Sequence, residues 1–463
     1  MKQRSDAILP FHLFELDSRN YLIHVENMAA CAVDDRTAEK LKRIAAAPDT
    51  AVAPELYASL KELGLLRKDK PVGPLQPGRE AMPVVSLALF VTQACNLRCT
   101  YCYEEKPGGS MDEKTAFRAV DWLLEQSGSA KRIYITFFGG EPFLNFPIIK
   151  NVVRYANEKA CMLEKTVGFS VTTNATLLDE EMIHFLKEHS VHILVSMDGP
   201  KEIQDAQRPY PDGRGSFDVV LPRVKKLLEI IPDTRVHAVL VDGSKAERIK
   251  SALKELGFAE VTLLPASASL FDKDGRGGEG RQKRKLDSLM KEMERETGLW
   301  RSHMKSRDIS AMIELRSASH LSQPILSLLH HKKMYYACGA GLKYAAVSCS
   351  GDIYLCHRFV GLEDYKLGNV FEGGFERGAY QESPLVQVPA CAACFARYYC
   401  AGGCKHDNAG ACGSAYSPPP DMCLMKKHGL ELAAALVSEM DDSDREFLAD
   451  NRIFPPKPCP LDI

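Results

Sequence analysis

Three cysteines stand close together in the run Cys95-Asn96-Leu97-Arg98-Cys99-Thr100-Tyr101-Cys102. Three thiolates can hold three irons of a [4Fe–4S] cube and leave the fourth iron open to a further ligand. A structural zinc ion asks for four protein ligands, and this C-x3-C-x2-C triple supplies three. Tyr101, just before the last cysteine, is placed to set an aromatic ring beside the cluster. A second array runs through Cys338, Cys356, Cys391, Cys394, Cys400, Cys404 and Cys423. C-x2-C pairs also hold zinc, so a zinc ribbon is the competing reading. Two zinc sites ask for eight ligands, however, and this array offers seven cysteines. Of the other five, Cys349 and Cys412 are candidates for an additional cluster ligand, whereas Cys31, Cys161 and Cys459 read as buried thiols.

Other groups in the chain suit polar chemistry. Gly139-Gly140-Glu141-Pro142 combines glycines, which let a backbone approach a ligand closely, with a carboxylate able to receive an ammonium group. On its own the same string is an ordinary strand-to-helix turn. Arg208, in Asp205-Ala206-Gln207-Arg208-Pro209, can pair bidentately with a carboxylate or serve as a plain surface arginine. His357, directly after Cys356, can accept or relay a proton, or hydrogen-bond a cluster or a bound peptide.

These groups need a scaffold, and the chain alternates apolar strand candidates with helical stretches from about residue 83 to 265. Strands are expected at 84–91, 132–138, 167–172, 192–196, 235–241 and 260–264, with helices at 115–126, 148–161, 180–188, 217–231 and 245–256. Repeated β–α units demand a parallel sheet with right-handed crossovers, and in such α/β barrels chemistry sits on the loops at the strands' C-terminal ends. The cysteine triple follows the first strand, the Gly-Gly-Glu-Pro turn the second, Asn174 the third and Ser196 the fourth. Upstream, short strands at 11–16, 21–25 and 31–33 precede helices at 36–46 and 54–63, and 68–78 is a Pro- and Gly-rich linker. The expected divisions are 1–78, 79–265, a helical bridge over 266–330, a cysteine-rich domain over 331–430 and a C-terminal helix and tail over 431–463. The stretch 272–280 is loose and polar, and the basic cluster 281–285 reads as a solvated helix face.

With 463 residues the chain can build two or three domains, each with an ample core. A formal net charge of −2 offers no general attraction for nucleic acid or a membrane surface. Apolar runs fall short of a membrane span, and the N-terminus lacks the apolar core of a signal peptide, so a cytoplasmic location is expected. Fifteen cysteines in that setting argue for metal ligation over disulfides.

The triple with its aromatic, followed in order by Gly139-Gly140-Glu141-Pro142, resembles the signature of the radical SAM superfamily. That resemblance implies an α/β fold with a partial (β/α)6 barrel and a cluster on Cys95, Cys99 and Cys102 whose open iron binds S-adenosylmethionine. It implies reductive cleavage to a 5′-deoxyadenosyl radical that abstracts hydrogen from a substrate. Gly139, Gly140, Glu141 and Pro142 would cradle the methionine amine. Asn174 and Ser196 would belong to the same pocket, Arg208 would meet the carboxylate, and Asp198 would face the pocket or the substrate.

The later array resembles the SPASM domain, which holds two auxiliary [4Fe–4S] clusters. By that resemblance Cys391, Cys394, Cys400 and Cys423 hold one, and Cys338, Cys356 and Cys404 the other. Its fourth ligand would be Cys349, Cys412, or an open iron that meets a substrate thiolate. The N-terminal order of strands then helices resembles a winged-helix peptide-recognition domain, with a simple packing cap as the alternative. Sulfatase maturases carry an aspartate, the catalytic base, where this chain has His357. The chain resembles more the SPASM peptide maturases that make Cys thioethers, and among them the branch that matures quinohemoprotein amine dehydrogenase by joining Cys sulfur to Asp or Glu carbons. A small Cys-containing protein or precursor peptide would be the substrate, with a flavodoxin or ferredoxin as electron donor. Carbon–carbon cross-linking, residue oxidation and a non-catalytic iron–sulfur electron carrier are the alternatives.

Overall fold

The structure, a computed structural model, describes residues 7–46, 54–67, 82–104, 108–241, 245–266 and 279–455. The expected linker at 68–78, most of the loose stretch 272–280, and Cys459 lie outside the described residues, as do the side chains of the basic cluster 281–285. Among the described residues no helix is long and apolar enough to cross a membrane.

The chain divides into two compact units, and the division does not follow the linear one expected from sequence. One unit takes residues 80–277 and 338–381; the other takes 1–79, 278–337 and 382–457. The cysteine-rich stretch 331–430 is therefore not one domain, and strand pairing explains the split.

The first unit is built on β1 (Ser86–Thr92), α1 (Glu113–Gln126), β2 (Arg132–Gly139), α2 (Phe146–Met162), β3 (Thr166–Thr173), α3 (Glu180–Glu188), β4 (Val191–Ser196), α4 (Lys201–Gln207), α5 (Phe217–Ile230), β5 (Arg235–Leu240), α6 (Ala246–Glu255) and β6 (Glu260–Pro265). Every expected strand is present, with bounds close to those read from sequence. Each strand pairs in parallel with its predecessor, as the partial (β/α)6 arrangement requires. In β1, Leu87 to Val91 form an unbroken buried apolar run, because helices cover one face and the sheet's own interior the other. Asp112 and Asp179 cap α1 and α3 by accepting the Thr115 and Met182 N–H groups.

Three further strands were not foreseen. β7 (Tyr344–Val347) adds in parallel beside β1, and β8 (Asp352–Tyr354) and β9 (Lys366–Asn369) continue the sheet antiparallel. Tyr344 opposes Ser86 and Val347 opposes Leu89, which draws the first part of the cysteine array onto the barrel. Ala88, Phe90, Ala346, Tyr354 and Val360 form an apolar cluster, with Phe138 and Tyr344 packed on it.

In the second unit, strands Phe11–Leu16, Arg19–His24 and Ala29–Val33 form an antiparallel sheet, and Ala7–Ile8 pairs with Leu66–Arg67. Strand alternation gives this sheet two buried faces. Leu22 packs with Leu41, Ile44, Leu60 and Leu65 beneath the helices Asp35–Ala46 and Pro54–Glu62. Ile23, one residue on, packs into a different core with Trp300, Ile325, Tyr398 and Leu430. The helix Pro420–Glu439 lies against strands Arg19–His24 and Ala29–Val33 and against helices Glu279–Ser306 and Ser322–Leu329. Half-buried Glu26 pairs with Arg397 and accepts from Tyr398 Oη at 3.2 Å. The N-terminal sheet is thus no separate module, since two short helices cannot cover both of its faces. Ile23→Ala should cost about 2–5 kcal/mol. Amide exchange should then quicken in Pro420–Glu439 together with the N-terminal strands; unchanged protection in that helix would contradict a shared core.

Candidate active site

The loop carrying Cys95, Cys99 and Cys102 leaves β1 at Thr92, whose hydroxyl donates to the Gly109 carbonyl at 2.8 Å and accepts the Ala94 N–H at 3.1 Å. The turn after β2 clasps this loop. Gly140 N–H donates to the Thr92 carbonyl at 3.1 Å, and Glu141 N–H to the Ala94 carbonyl at 2.9 Å. A Cβ at Gly139, where φ is +123°, would lie 1.8 Å from the Thr92 oxygen. One at Gly140 would lie 2.2 Å from the Ala94 oxygen and 2.8 Å from Cys95 Cβ. The sequence suggested that these glycines allow close approach to a ligand; the close approach in the structure is to the cysteine loop itself. On its far side the loop docks by Arg98 N–H to the Pro209 carbonyl at 2.8 Å and Thr100 N–H to the Gln207 carbonyl at 2.9 Å.

Glu141 also departs from its expected part as an open receptor for an ammonium group. It is fully buried, and its oxygens accept from Thr173 Oγ1 at 2.7 Å, Asn174 N–H at 2.8 Å and Phe143 N–H at 3.2 Å. Burial pushes its carboxyl up to about 7, against the pull of those donors. The side chain ties the ends of β2 and β3 together, and Pro142 starts the short helical turn behind it. Asn174 extends that tie to the cysteine loop: its Nδ2 donates to Asn96 Oδ1 at 3.0 Å and lies 4.0 Å from Cys95 Sγ. The Thr176 hydroxyl completes the set: it donates to Asn174 Oδ1 at 2.6 Å and accepts from Asn96 Nδ2 at 2.7 Å.

Asp198 was expected to face the pocket or substrate, but the structure buries it completely. Its oxygens accept from Tyr101 Oη at 2.6 Å, Gln207 Nε2 at 2.8 Å, the Val239 N–H at 2.9 Å and Arg208 NH2 at 3.0 Å. Arg208 Nε lies 3.0 Å from the second oxygen as an ion-pair contact outside hydrogen-bond geometry, so a single N–H···O bond joins guanidinium and carboxylate. Burial pushes the Asp198 carboxyl up, but Arg208 and the other donors outweigh it and hold it below the usual carboxylate range. Burial likewise raises the Tyr101 phenol well above its ordinary value. The Arg208 guanidinium carbon sits 5.4 Å from the Tyr101 ring centre. Asp198 is therefore an anchor that joins the cysteine loop, Arg208 and β5. One neighbouring residue escaped the sequence reading: His237 Nε2 lies 2.8 Å from Ser196 Oγ, across the β4–β5 pair.

His357 is enclosed by aromatic groups. Its Nδ1 meets Tyr344 Oη at 2.7 Å, and its ring lies 4.8 Å from Phe138 and 6.4 Å from Tyr103. The Arg358 guanidinium covers the Tyr103 ring at 5.4 Å. Cys356 is buried, and both Cys356 and Cys338 act electrostatically on Tyr344. The Cys349 thiol donates to the Phe90 carbonyl at 3.1 Å, near the end of β1, and burial pushes it up to about 11.

In the second unit Cys391, Cys394, Cys400 and Cys423 feel one another. Burial pushes Cys391 up to about 11, and Cys400, Cys423 and Cys394 add to the rise. Four neighbouring thiols, carried by short helical turns and the start of Pro420–Glu439, suit a four-thiolate cluster, whose irons would offset the charge of the deprotonated sulfurs. Cys404 precedes the helix Lys405–Cys412, and Cys412 is exposed. Among the described residues no three His, Cys, Asp or Glu side chains close tightly enough to hold a single metal ion. The cluster reading accordingly rests on the type, number and order of the thiols.

Residues 89–256 match the Radical SAM superfamily. Over 131 residues, 28% of this chain, the sequence is 41% identical to an uncharacterised protein of Methanocaldococcus jannaschii, and the match spans 44% of that protein's own length. A serine-type anaerobic sulfatase-maturating enzyme of Klebsiella aerogenes is 26% identical over 367 residues, 73% of this chain and 85% of that one. In fold, the chain is similar to anSMEcpe with bound AdoMet and the Cp18Cys peptide, with a TM-score of 0.62 at 21% identity over 77% of this chain and 98% of that one. It is also similar to Streptococcus suis SuiB bound to the precursor peptide SuiA, with a TM-score of 0.50 at 16% identity over 90% of this chain and 99% of that one.

Removing the anchor should be costly. Asp198→Ala leaves Arg208 charged and unpaired in a dry site, an expected loss of about 3–5 kcal/mol. Chemical denaturation of the iron-loaded chain measures this, with iron content as the second readout. A variant as stable and as iron-replete as its parent would contradict the anchoring role.

Proposed function

We propose that this chain, which carries a radical SAM domain at residues 89–256, is a peptide maturase that joins a Cys sulfur to an Asp or Glu side-chain carbon in a small protein or precursor peptide. The observation that carries this reading is the setting of His357. Where sulfatase maturases resembled in sequence have an aspartate base, this chain has an imidazole bonded to Tyr344 and packed between Phe138 and Tyr103. An aromatic enclosure suits holding a thiol and an adjoining side chain together away from water better than it suits an ionised base.

Cys95, Cys99 and Cys102 would hold the first [4Fe–4S] cluster. When bound, that cluster with S-adenosylmethionine supplies a carbon radical able to take hydrogen from an unactivated C–H bond. Asn174 and Ser196 would line the nucleotide pocket, and the Asp198–Arg208 pair would hold the cysteine loop at its edge. Cys391, Cys394, Cys400 and Cys423 would hold an auxiliary cluster. Cys338 and Cys356 would serve another, with an iron free for the substrate's thiolate; a flavodoxin or ferredoxin would reduce the enzyme.

The peptide would add as a strand to Phe11–Leu16, which lies at the edge of its sheet. A groove of about 420 Å³ runs along that strand, lined by Phe11, Leu13, Glu15 and Lys42 among others. Phe11 and Leu13 offer apolar contacts and the strand edge offers main-chain hydrogen bonds, the combination an extended peptide needs.

Oxidation of a Ser or Cys residue is the second reading, favoured by the 26% identity over 367 residues to the Klebsiella aerogenes enzyme. Anaerobic co-expression with small Cys-containing reading frames encoded nearby, followed by mass measurement after thiol alkylation, separates the two. Cross-linking removes two hydrogens and one alkylatable thiol per bond. A product that keeps every thiol free of carbon, or that loses a Ser or Cys to an aldehyde, would contradict thioether formation.

A further inference from the structure

The exits of β4 and β5 part in a particular way. Parallel pairing between these strands ends at Ser196 and His237. Met197 N–H still donates to the His237 carbonyl at 3.1 Å, but beyond it the Asp198 carboxylate replaces the ladder by taking the Val239 N–H at 2.9 Å. Ser196 and His237 are thus the last facing pair before the strands separate, and their side chains meet at 2.8 Å. Val236 and Ala238 are fully buried on one face of β5, so His237 between them lies on the other, with Ser196. This is the C-terminal end of the strands, where an α/β barrel keeps its chemistry.

Burial and then the Arg208 guanidinium push His237 down to about 4, against the opposite pull of Asp198, so the imidazole is neutral at physiological pH. A neutral imidazole offers one donor and one acceptor nitrogen, and either can bond a serine hydroxyl. A serine without such a partner turns among three staggered positions.

We infer that His237 is a positioning residue for S-adenosylmethionine: it holds the Ser196 hydroxyl in one orientation at the opening between β4 and β5, ready for the polar groups of the nucleotide. This rests on the radical SAM reading of the barrel and adds to it a residue, and a bond, that no motif marks. Presetting the hydroxyl removes part of the ordering that binding would otherwise require.

The test uses the anaerobically reconstituted full chain, with S-adenosylmethionine itself as probe. Affinity is read by equilibrium dialysis, and the reduced cluster's paramagnetic resonance spectrum is recorded with and without the nucleotide. Ser196→Ala and His237→Ala should each weaken binding by about tenfold. The double variant should be no weaker than either single one, because both remove the same bond. His237→Gln, which can still bond Ser196, should recover most of the affinity, and the spectrum without nucleotide should match the parent in every variant. The inference is overturned if His237→Ala binds within twofold of the parent, or if the double loss is the product of the single ones. Should His237→Ala lose iron, the comparison of Ser196→Ala with His237→Gln decides: loss in the first alone supports the bond, and equal affinity in both contradicts it. A parent that binds no nucleotide would overturn the radical SAM reading as well, whereas a different peptide product would leave this inference standing.

Discussion

The buried pair of Asp198 and Arg208 is the constraint on which the site's geometry depends. Taking two charges out of water costs several kcal/mol per ion and is tolerated only when attraction and additional hydrogen bonds offset it. Here the carboxylate is satisfied by Tyr101, Gln207, the Val239 N–H and the guanidinium together. The donors come from three stretches of chain: the cysteine loop, β5, and the end of α4 with the residue after it. Satisfying one buried charge therefore fixes the loop that carries the thiols against the exits of β4 and β5. Gly139 and Gly140 hold the same loop from the side of β2, through contacts that leave no room for a side chain. Between these two restraints, little freedom remains for Cys95, Cys99 and Cys102.

A second theme is the sharing of elements between regions of sequence that looked separate. β7 extends the barrel sheet beside β1, so Cys338 and Cys356 belong with the barrel. Cys391 to Cys423 belong with the N-terminal sheet, through a core that joins Ile23 and Val25 to Tyr398 and Leu430. Within that second unit, the edge strand Phe11–Leu16 is built into the body that carries Cys391, Cys394, Cys400, Cys404 and Cys423. His12, on the edge strand, stacks on Phe395 at 3.6 Å, directly after Cys394. Such packing ties the N-terminal sheet to the segment that carries Cys391 and Cys394.

Much of this was legible in the sequence, for reasons that also explain what was not. The six barrel strands showed because parallel strands buried on both faces are written as apolar runs between helical stretches. The cysteine triple showed because thiol spacing is local. The part of Asp198 was illegible: a carboxylate in a turn reads the same whether it faces a ligand or an arginine, and its partner Tyr101 lies far away in sequence. Glu141 misled for the same reason, since two of its donors, Thr173 and Asn174, come from the end of β3 and the residue after it. β7 to β9 were missed because short strands beside cysteines leave little periodicity to read. His237 had one usable signal, its position on the Ser196 phase of an alternating strand.

The match of residues 89–256 to the radical SAM superfamily and the similarity to sulfatase-maturating enzymes agree with this geometry. The central claim is that the clasped triple holds a cluster whose open iron takes S-adenosylmethionine. The direct measurement is chromatographic: the reconstituted full chain, given dithionite and S-adenosylmethionine under anaerobic conditions, is assayed for 5′-deoxyadenosine. The account predicts its formation by the parent chain and none by Cys99→Ala with the other clusters still loaded. Fully loaded parent enzyme that releases no 5′-deoxyadenosine would contradict it.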